Sequence, residues 1–230
     1  MRILLVSPAA ADSDTGNGVT ARRWAALLRE LGHQAESSVG LRDEYRGGYD
    51  ALVALHARKS AGAVRAFRTA HPRAPVVLAL TGTDLYPDLR STGVNPAVLA
   101  MASRLVVLQP RALDQLDPKT RQRARVIVQS VPPIRRQAPR DDCFEVAVLA
   151  HLRPVKDPLR VAEAVRELPA SSRIRVTHLG GALDDELAAA AAAESAASPR
   201  YDWLGPRPRG EALDLLARSR LLVLTSRHEG

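Results

Sequence analysis

The chain contains one cysteine, Cys143, in 230 residues. A single thiol excludes an intrachain disulfide framework and a cysteine-rich metal site, and Cys143 reads as a small residue beside a strand. Aromatic residues are only 3% of the total. The core must therefore rest on Leu, Val, Ala and Ile, and the stacked aromatic platforms that hold single-stranded nucleic acid have little to be built from. Lysine is equally scarce: Lys59, Lys119 and Lys156 stand against 30 arginines. No apolar run approaches the ~20 residues a membrane-spanning helix needs. The first residues, Met1-Arg-Ile-Leu-Leu-Val-Ser-Pro8, have too short an apolar stretch for a secretory signal and read as a first strand. These absences predict a cytoplasmic protein without a membrane partner.

Hydrophobic residues make up 46% of the chain and charged ones 25%. That balance is typical of a globular protein with a sizeable core, and the length suits one large domain or two small ones. The net charge of +8 is unevenly spread: residues 1–138 carry 20 Lys and Arg against 11 Asp and Glu, and residues 139–230 carry 13 against 14. A basic first half suits an anionic small molecule; a general bias toward arginine accounts for it equally well. The arginines are dispersed over many segments and form no nucleic-acid recognition motif, so nucleic acid is not an expected partner.

Apolar strands alternate with amphipathic helical segments. Strands are expected at Ile3–Val6, Asp50–Leu55, Val76–Leu80, Arg104–Leu108 and Arg125–Val128. Helices are expected at Val19–Leu31, with Gly32 closing the first, and at Ser60–Ala70, Asn95–Ala102 and Arg111–Leu116. A segment with three prolines and mixed charge, residues 131–142, reads as a linker. The alternation restarts with strands at Val146–Ala150, Ile174–Leu179, Tyr201–Gly205 and Leu221–Leu224. The helices between them fall at Leu159–Leu168, about Asp184–Ala197 and Gly210–Ser219. This pattern predicts an α/β fold with two doubly wound, Rossmann-like parallel-sheet domains, residues 1–135 and 143–230. The second is expected to be incomplete, because a strand ends close to Gly230 with no helix after it.

Candidate sites fall where such folds place ligands, at the carboxyl ends of strands. After the strand at 146–150 comes a short loop with two cations three residues apart, Arg153 and Lys156, placed to meet a diphosphate near a helix N-terminus. Surface solvation is the alternative there. After the first strand, Gly16, Asn17, Gly18 and Thr20 form a glycine-containing approach to a helix, suited to close backbone contact with an anion or to an ordinary loop. It is not a Walker loop and departs from the dinucleotide fingerprint. His56, Arg58 and Lys59 gather three basic groups at another strand end. Thr83 and Asp84 follow the strand at 76–80, with Asp84 able to orient a hydroxyl, accept a proton or cap the next segment. His228, Glu229 and Gly230 follow the last strand. No residue set suggests a metal.

Taken together, the two half-domains, the glycine loop, Arg153-x-x-Lys156 and Ser226-x-x-Glu229-Gly230 resemble the GT-B glycosyltransferases of the family-4 type. The resemblance implies two domains facing a cleft. The second would bind a nucleotide sugar as co-substrate, with no cofactor. Arg153 and Lys156 would bind the donor diphosphate and stabilise charge on it. His228, Glu229 and Gly230 would meet the donor, Glu229 as the first carboxylate of a Glu-x7-Glu pair whose second member falls beyond Gly230. Within that family, Asn17–Trp24, Leu55–Ser60 and Ala79–Tyr86 resemble the selenosugar synthases of selenoneine biosynthesis. That implies attack of selenophosphate on the anomeric carbon of a UDP-sugar (UDP-GlcNAc or UDP-glucose), with release of UDP. The acceptor anion would lie among Gly16, Asn17, Gly18, Thr20, His56, Arg58, Lys59, Thr83 and Asp84. A hydroxyl acceptor, or nucleotide-sugar binding without catalysis, are the alternatives; the oligomeric state is left open.

Overall fold

A computed structural model describes residues 1–13, 15–40 and 47–229. The chain divides into two compact units, Met1–Val131 with Glu229, and Pro132–His228. Gly230, named above as a donor contact, lies outside the described residues.

The first unit carries strands β1 (Arg2–Ser7), β2 (Gln34–Val39), β3 (Ala51–Leu55), β4 (Val76–Leu80), β5 (Arg104–Val107) and β6 (Ala124–Val126). They pair in parallel in the order β2-β1-β3-β4-β5-β6. The helices are α1 (Gly16–Glu30), α2 (Ala61–Ala70), α3 (Pro96–Met101) and α4 (Pro118–Arg123). Successive strand side chains point to opposite faces, and the core divides accordingly. Leu4 and Val6 pack with Val64 and Phe67 of α2 and Val98 and Leu99 of α3. Ile3 and Leu5 pack with Ala21, Ala25 and Leu28 of α1. Phe67 is fully buried, and enclosing one such side chain is worth about 1.5–3 kcal/mol. Gly32 stops α1 at φ +82°, a conformation that costs glycine little, and its amide donates to the Arg29 carbonyl at 2.9 Å.

Three elements of this unit depart from the sequence reading. Strand β2 was not expected: its sequence, Gln-Ala-Glu-Ser-Ser-Val, is polar because it is an edge strand in which only Ala35 and Ser38 are buried. The short helix expected at Arg111–Leu116 is a 3-10 turn over Pro110–Gln115, and α4, polar throughout, follows it.

The second unit carries β7 (Phe144–Leu149), β8 (Ile174–Leu179), β9 (Tyr201–Trp203) and β10 (Leu221–Leu222), parallel in the order β10-β7-β8-β9. Its helices are α5 (Arg160–Arg166), α6 (Asp185–Ala197) and α7 (Arg209–Arg218). The alanine-rich α6 is a true helix, capped by Asp184, whose Oδ1 accepts from the Leu187 amide at 3.0 Å. Glu145 is buried on β7 and is satisfied by Arg218 Nε (3.0 Å) and Thr177 Oγ1 (3.2 Å), so its charge is not stranded.

Candidate functional site

In the second unit, Arg153 and Lys156 lie just past the carboxyl end of β7, at either end of a 3-10 turn over Pro154–Lys156. Arg153 is exposed and Lys156 half-buried. The Lys156 amide donates to the Arg153 carbonyl at 2.9 Å, which fixes the two residues to one rigid turn. That turn is tied to the segment after β10. Thr225 Oγ1 donates to the carbonyls of Lys156 (3.2 Å) and Asp157 (2.8 Å), and the Arg227 amide donates to the Val155 carbonyl (2.9 Å). Beside them the Ser226 hydroxyl oxygen is buried without a partner.

The expected helix N-terminus contributes less than anticipated. The helix that follows, α5, has only seven residues, and its start carries two carboxylates, Asp157 and Glu163, both paired with Arg160 at 3.1–3.2 Å. Two negative charges there oppose an anion, so the turn's own cations supply the attraction. Asp157 sits at φ 42°, ψ 53°, left-handed backbone that Asp tolerates better than most residues.

The approach to this turn is held by a close crossing. The Leu152 amide donates to the Gly181 carbonyl and the Ala150 amide to the Leu179 carbonyl, each at 3.0 Å. A β-carbon placed on Gly180 would meet the Ala150 carbonyl oxygen at 1.8 Å, so only glycine allows the two loops to run together. Buried His178 adds a second tie. Its Nε2 donates to the Ala150 carbonyl (2.8 Å) and its Nδ1 accepts from the Tyr201 hydroxyl (2.7 Å), an arrangement that needs the neutral ring. Within the strand expected at Ile174–Leu179, His178 thus helps anchor the start of the cationic loop.

Burial lowers the pKa of His178, against a smaller raising effect from the Ala150 carbonyl. Burial likewise lowers that of His56, opposed by Asp84 and reinforced by Lys59 and Arg58. Both rings take up a proton near 6.5 in the unfolded chain and only at lower pH when folded. Their contribution is therefore complete above pH 6.5 and is lost as pH falls from there toward the folded values. Urea midpoints measured between pH 7.5 and 5.5 should decline on the acid side, and His178→Gln should shallow the decline; a midpoint independent of pH would contradict this account.

In the first unit, the loops after β3 and β4 are joined by Asp84, which is completely buried. Its Oδ2 accepts from the Ala57 amide (2.7 Å), and its Oδ1 accepts from the amides of Thr81 (2.9 Å) and Gly82 (3.0 Å). Asp84 therefore does not face a ligand, as its sequence context allowed; it locks the two loops. His56 also departs from the expected trio of cations. It is 1% exposed at φ 69°, its Nδ1 accepts from the Lys59 amide (3.4 Å), and its Nε2 donates to Thr83 Oγ1 (3.0 Å). Held neutral, it frames the loop and brings no charge. Exposed chemistry here comes from Arg58, Lys59 and Thr83, with Arg58 Nη1 steadied by the Thr92 carbonyl at 3.1 Å.

The glycine loop serves the fold as well. Gly16, Asn17, Gly18 and Thr20 form the first turn and a half of α1, capped by Thr15 Oγ1. A β-carbon on Gly18 would meet the carbonyls of Ala10 (2.5 Å) and Ser13 (2.7 Å), so its close approach is to its own chain. Asn17 offers its carbonyl to Ser7 Oγ at 3.5 Å. Thr20 Oγ1 donates to the Gly16 carbonyl (2.8 Å) and accepts from Gln129 Nε2 (3.1 Å). His228 and Glu229 are exposed. Among the described residues no group of three or more His, Cys, Asp or Glu side chains is placed to hold a metal ion, and no helix is long and apolar enough to cross a membrane.

No protein-family model matches the chain, and no curated protein matches it in sequence. Solved structures do match. HepE from Anabaena, solved in complex with UDP-glucose, is 15% identical with a TM-score of 0.66, covering 98% of this chain and 74% of its own. A glycosyltransferase from Rickettsia africae is 12% identical with a TM-score of 0.69, covering 98% and 73%. The chain has the GT-B fold. The same fold is found in a UDP-GlcNAc 2-epimerase from Neisseria meningitidis bound to UDP-GlcNAc, at 9% identity, a TM-score of 0.58 and coverage of 96% and 76%. At such identities the likeness is one of architecture, and the reaction has to be argued from the site.

Proposed function

We propose that this protein is a glycosyltransferase that uses a UDP-sugar as donor. The observation that carries the reading is the pair Arg153 and Lys156, fixed on one turn at the carboxyl end of β7 and braced by Thr225 and Arg227. Two cations held at fixed spacing match the charge that grows on a diphosphate leaving group, and stabilising that charge accelerates displacement at the anomeric carbon. HepE, of the same fold, was crystallised with UDP-glucose. Glu229 of the Glu-Gly pair is assigned to the donor sugar and His228 to its surroundings, on the resemblance alone.

The acceptor assigned on sequence resemblance is selenophosphate. Its selenium would attack the anomeric carbon, forming a C–Se bond as the bond from that carbon to the diphosphate oxygen breaks and its electron pair leaves with UDP. Exposed Arg58 and Lys59 support an anionic acceptor at the ends of β3 and β4. An anionic selenium nucleophile needs no strong general base, which agrees with a neutral His56 and a buried Asp84. The second reading, transfer to a hydroxyl acceptor, is favoured by a cavity in the same unit that no charged side chain lines among the described residues.

The protein incubated with UDP-glucose or UDP-GlcNAc, with selenophosphate or with a polyol, should release UDP, and mass spectrometry should find the sugar on one of the two acceptors. A selenium-containing product supports the first acceptor; an O-glycoside replaces it with the second. Conversion of UDP-GlcNAc to its 2-epimer without an acceptor, followed by proton NMR, would overturn glycosyl transfer in favour of epimerisation.

A further inference from the structure

A cavity of about 220 Å3 lies at the carboxyl ends of β1 and β2, covered by the loop at residues 9–11. Its walls include Ser7, Ser37 and Ser38, the alanines of that loop, and Ala21 of α1. Ser38 is only 8% exposed, and its hydroxyl oxygen is buried with no hydrogen-bond partner among the described residues. A buried hydroxyl left unsatisfied is costly and uncommon, so one lining a cavity marks a place where something else supplies the bond. The cavity far exceeds the roughly 10–15 Å3 a single water requires. It falls below the about 300–1,000 Å3 of sites for drug-sized ligands.

Charge narrows the occupant. No charged side chain lines the cavity among the described residues. Arg22, on α1, is exposed and is not among the lining residues; its Nη1 donates to the Ala11 carbonyl at 2.6 Å, which holds the covering loop in place. At the start of α1 the Gly18 amide is already capped by Thr15 Oγ1, with the carbonyls of Ala10 and Ser13 packed against Gly18. Among the described residues, no charged side chain and no spare helix terminus draws an anion into the cavity. Ser7 Oγ is taken by the Asn17 carbonyl and the Ala9 amide, which leaves the hydroxyls of Ser37 and Ser38 between small apolar walls, a lining that suits a ligand offering hydroxyls and carrying no charge.

We propose that this cavity binds a small neutral polyhydroxyl group, about the size of one monosaccharide or short polyol, with Ser38 Oγ as its anchor. The proposal goes beyond the donor reading and does not depend on it, because every residue it uses belongs to the first unit.

The test is titration calorimetry of the protein with D-glucose, D-xylose and glycerol, and with inorganic phosphate as the charged contrast. At least one neutral compound should bind saturably. Ser38→Val should weaken it tenfold or more, and Ala10→Leu, which fills the cavity from the exposed loop, should do the same in a chain whose buried core is untouched. Arg153→Ala should leave this binding unchanged whether or not the donor reading survives. Ser38→Ala should leave the thermal midpoint equal or raised, since it removes an orphaned hydroxyl. The proposal is overturned if no neutral compound binds, if both cavity variants bind as the parent does, if phosphate is what the cavity variants lose, or if crystals soaked in the sugar show ordered water only.

Discussion

Alanine in place of both Arg153 and Lys156 is expected to lower turnover with a UDP-sugar by at least about 10²- to 10³-fold, the loss seen when one preorganised donor to a developing negative charge is removed. Each tenfold step corresponds to about 1.36 kcal/mol of barrier, so two cations on one diphosphate can account for the whole effect. The turn should survive the change. Its bonds to Thr225 and Arg227 use the backbone carbonyls of residues 155–157, which alanine retains. Circular dichroism and the urea midpoint should therefore match the parent while turnover collapses. Calorimetry with UDP separates binding from catalysis: weaker UDP binding in step with turnover locates the cations on the ground-state diphosphate, and unchanged binding assigns them to the transition state. Arg153→Lys keeps the charge and loses the planar fork, so it should fall between parent and alanine. Near-normal turnover in the double variant would remove the diphosphate assignment altogether.

Asp84→Ala should be the most damaging single substitution to the first unit. Three backbone amides, those of Ala57, Thr81 and Gly82, converge on one buried carboxylate. Hydrogen bonds to a charged group contribute about 1.5–3 kcal/mol each, and amides left without a partner add their own desolvation cost. Allowing for relaxation and non-additivity, a loss of about 3–5 kcal/mol is expected, a large share of the roughly 5–15 kcal/mol that holds a typical domain together. Asp84→Asn should lose less, because one side-chain oxygen still serves the amides of Thr81 and Gly82 while its NH2 group opposes that of Ala57. Urea unfolding of the three proteins gives the order directly; an alanine variant within about 0.5 kcal/mol of the parent, the range of ordinary surface changes, would show that the carboxylate is dispensable.

The two substitutions mark the boundary between what the sequence expresses and what it conceals. The position of Arg153 and Lys156 was legible because a continuous apolar strand is followed at once by cations, and a parallel strand's end has a fixed address in the fold. The role of Asp84 was not. A carboxylate after a strand reads equally as ligand contact or cap, and only the approach of a second loop, separated from it by 27 positions at Ala57, decides the matter. His56 misled for the same reason: beside Arg58 and Lys59 it looks like a third positive charge, yet burial, helped by the charges of Lys59 and Arg58, lowers its pKa. Gly18 advertises close approach correctly, but the partner is the chain's own residues 10 and 13. Strand β2 left no apolar trace because an edge strand with two buried side chains needs none. Hydrophobic period reports burial; it is silent on polar groups whose partners come from elsewhere.

The clamp formed by Asp84 and His56 separates two kinds of evolutionary freedom. The groups that hold the loops after β3 and β4 are buried, while Arg58, Lys59 and Thr83 project from those loops at exposed positions. Exchanging the Lys59 side chain, which the clamp does not use, would alter which molecules the surface attracts and leave the scaffold's folding energy nearly unchanged, since surface substitutions away from such a network usually cost within ±0.5 kcal/mol, whereas Thr83 also accepts from buried His56 and is part of the clamp. A lineage carrying this frame could thus change the charge these loops present in few steps, with the ancestral geometry inherited intact.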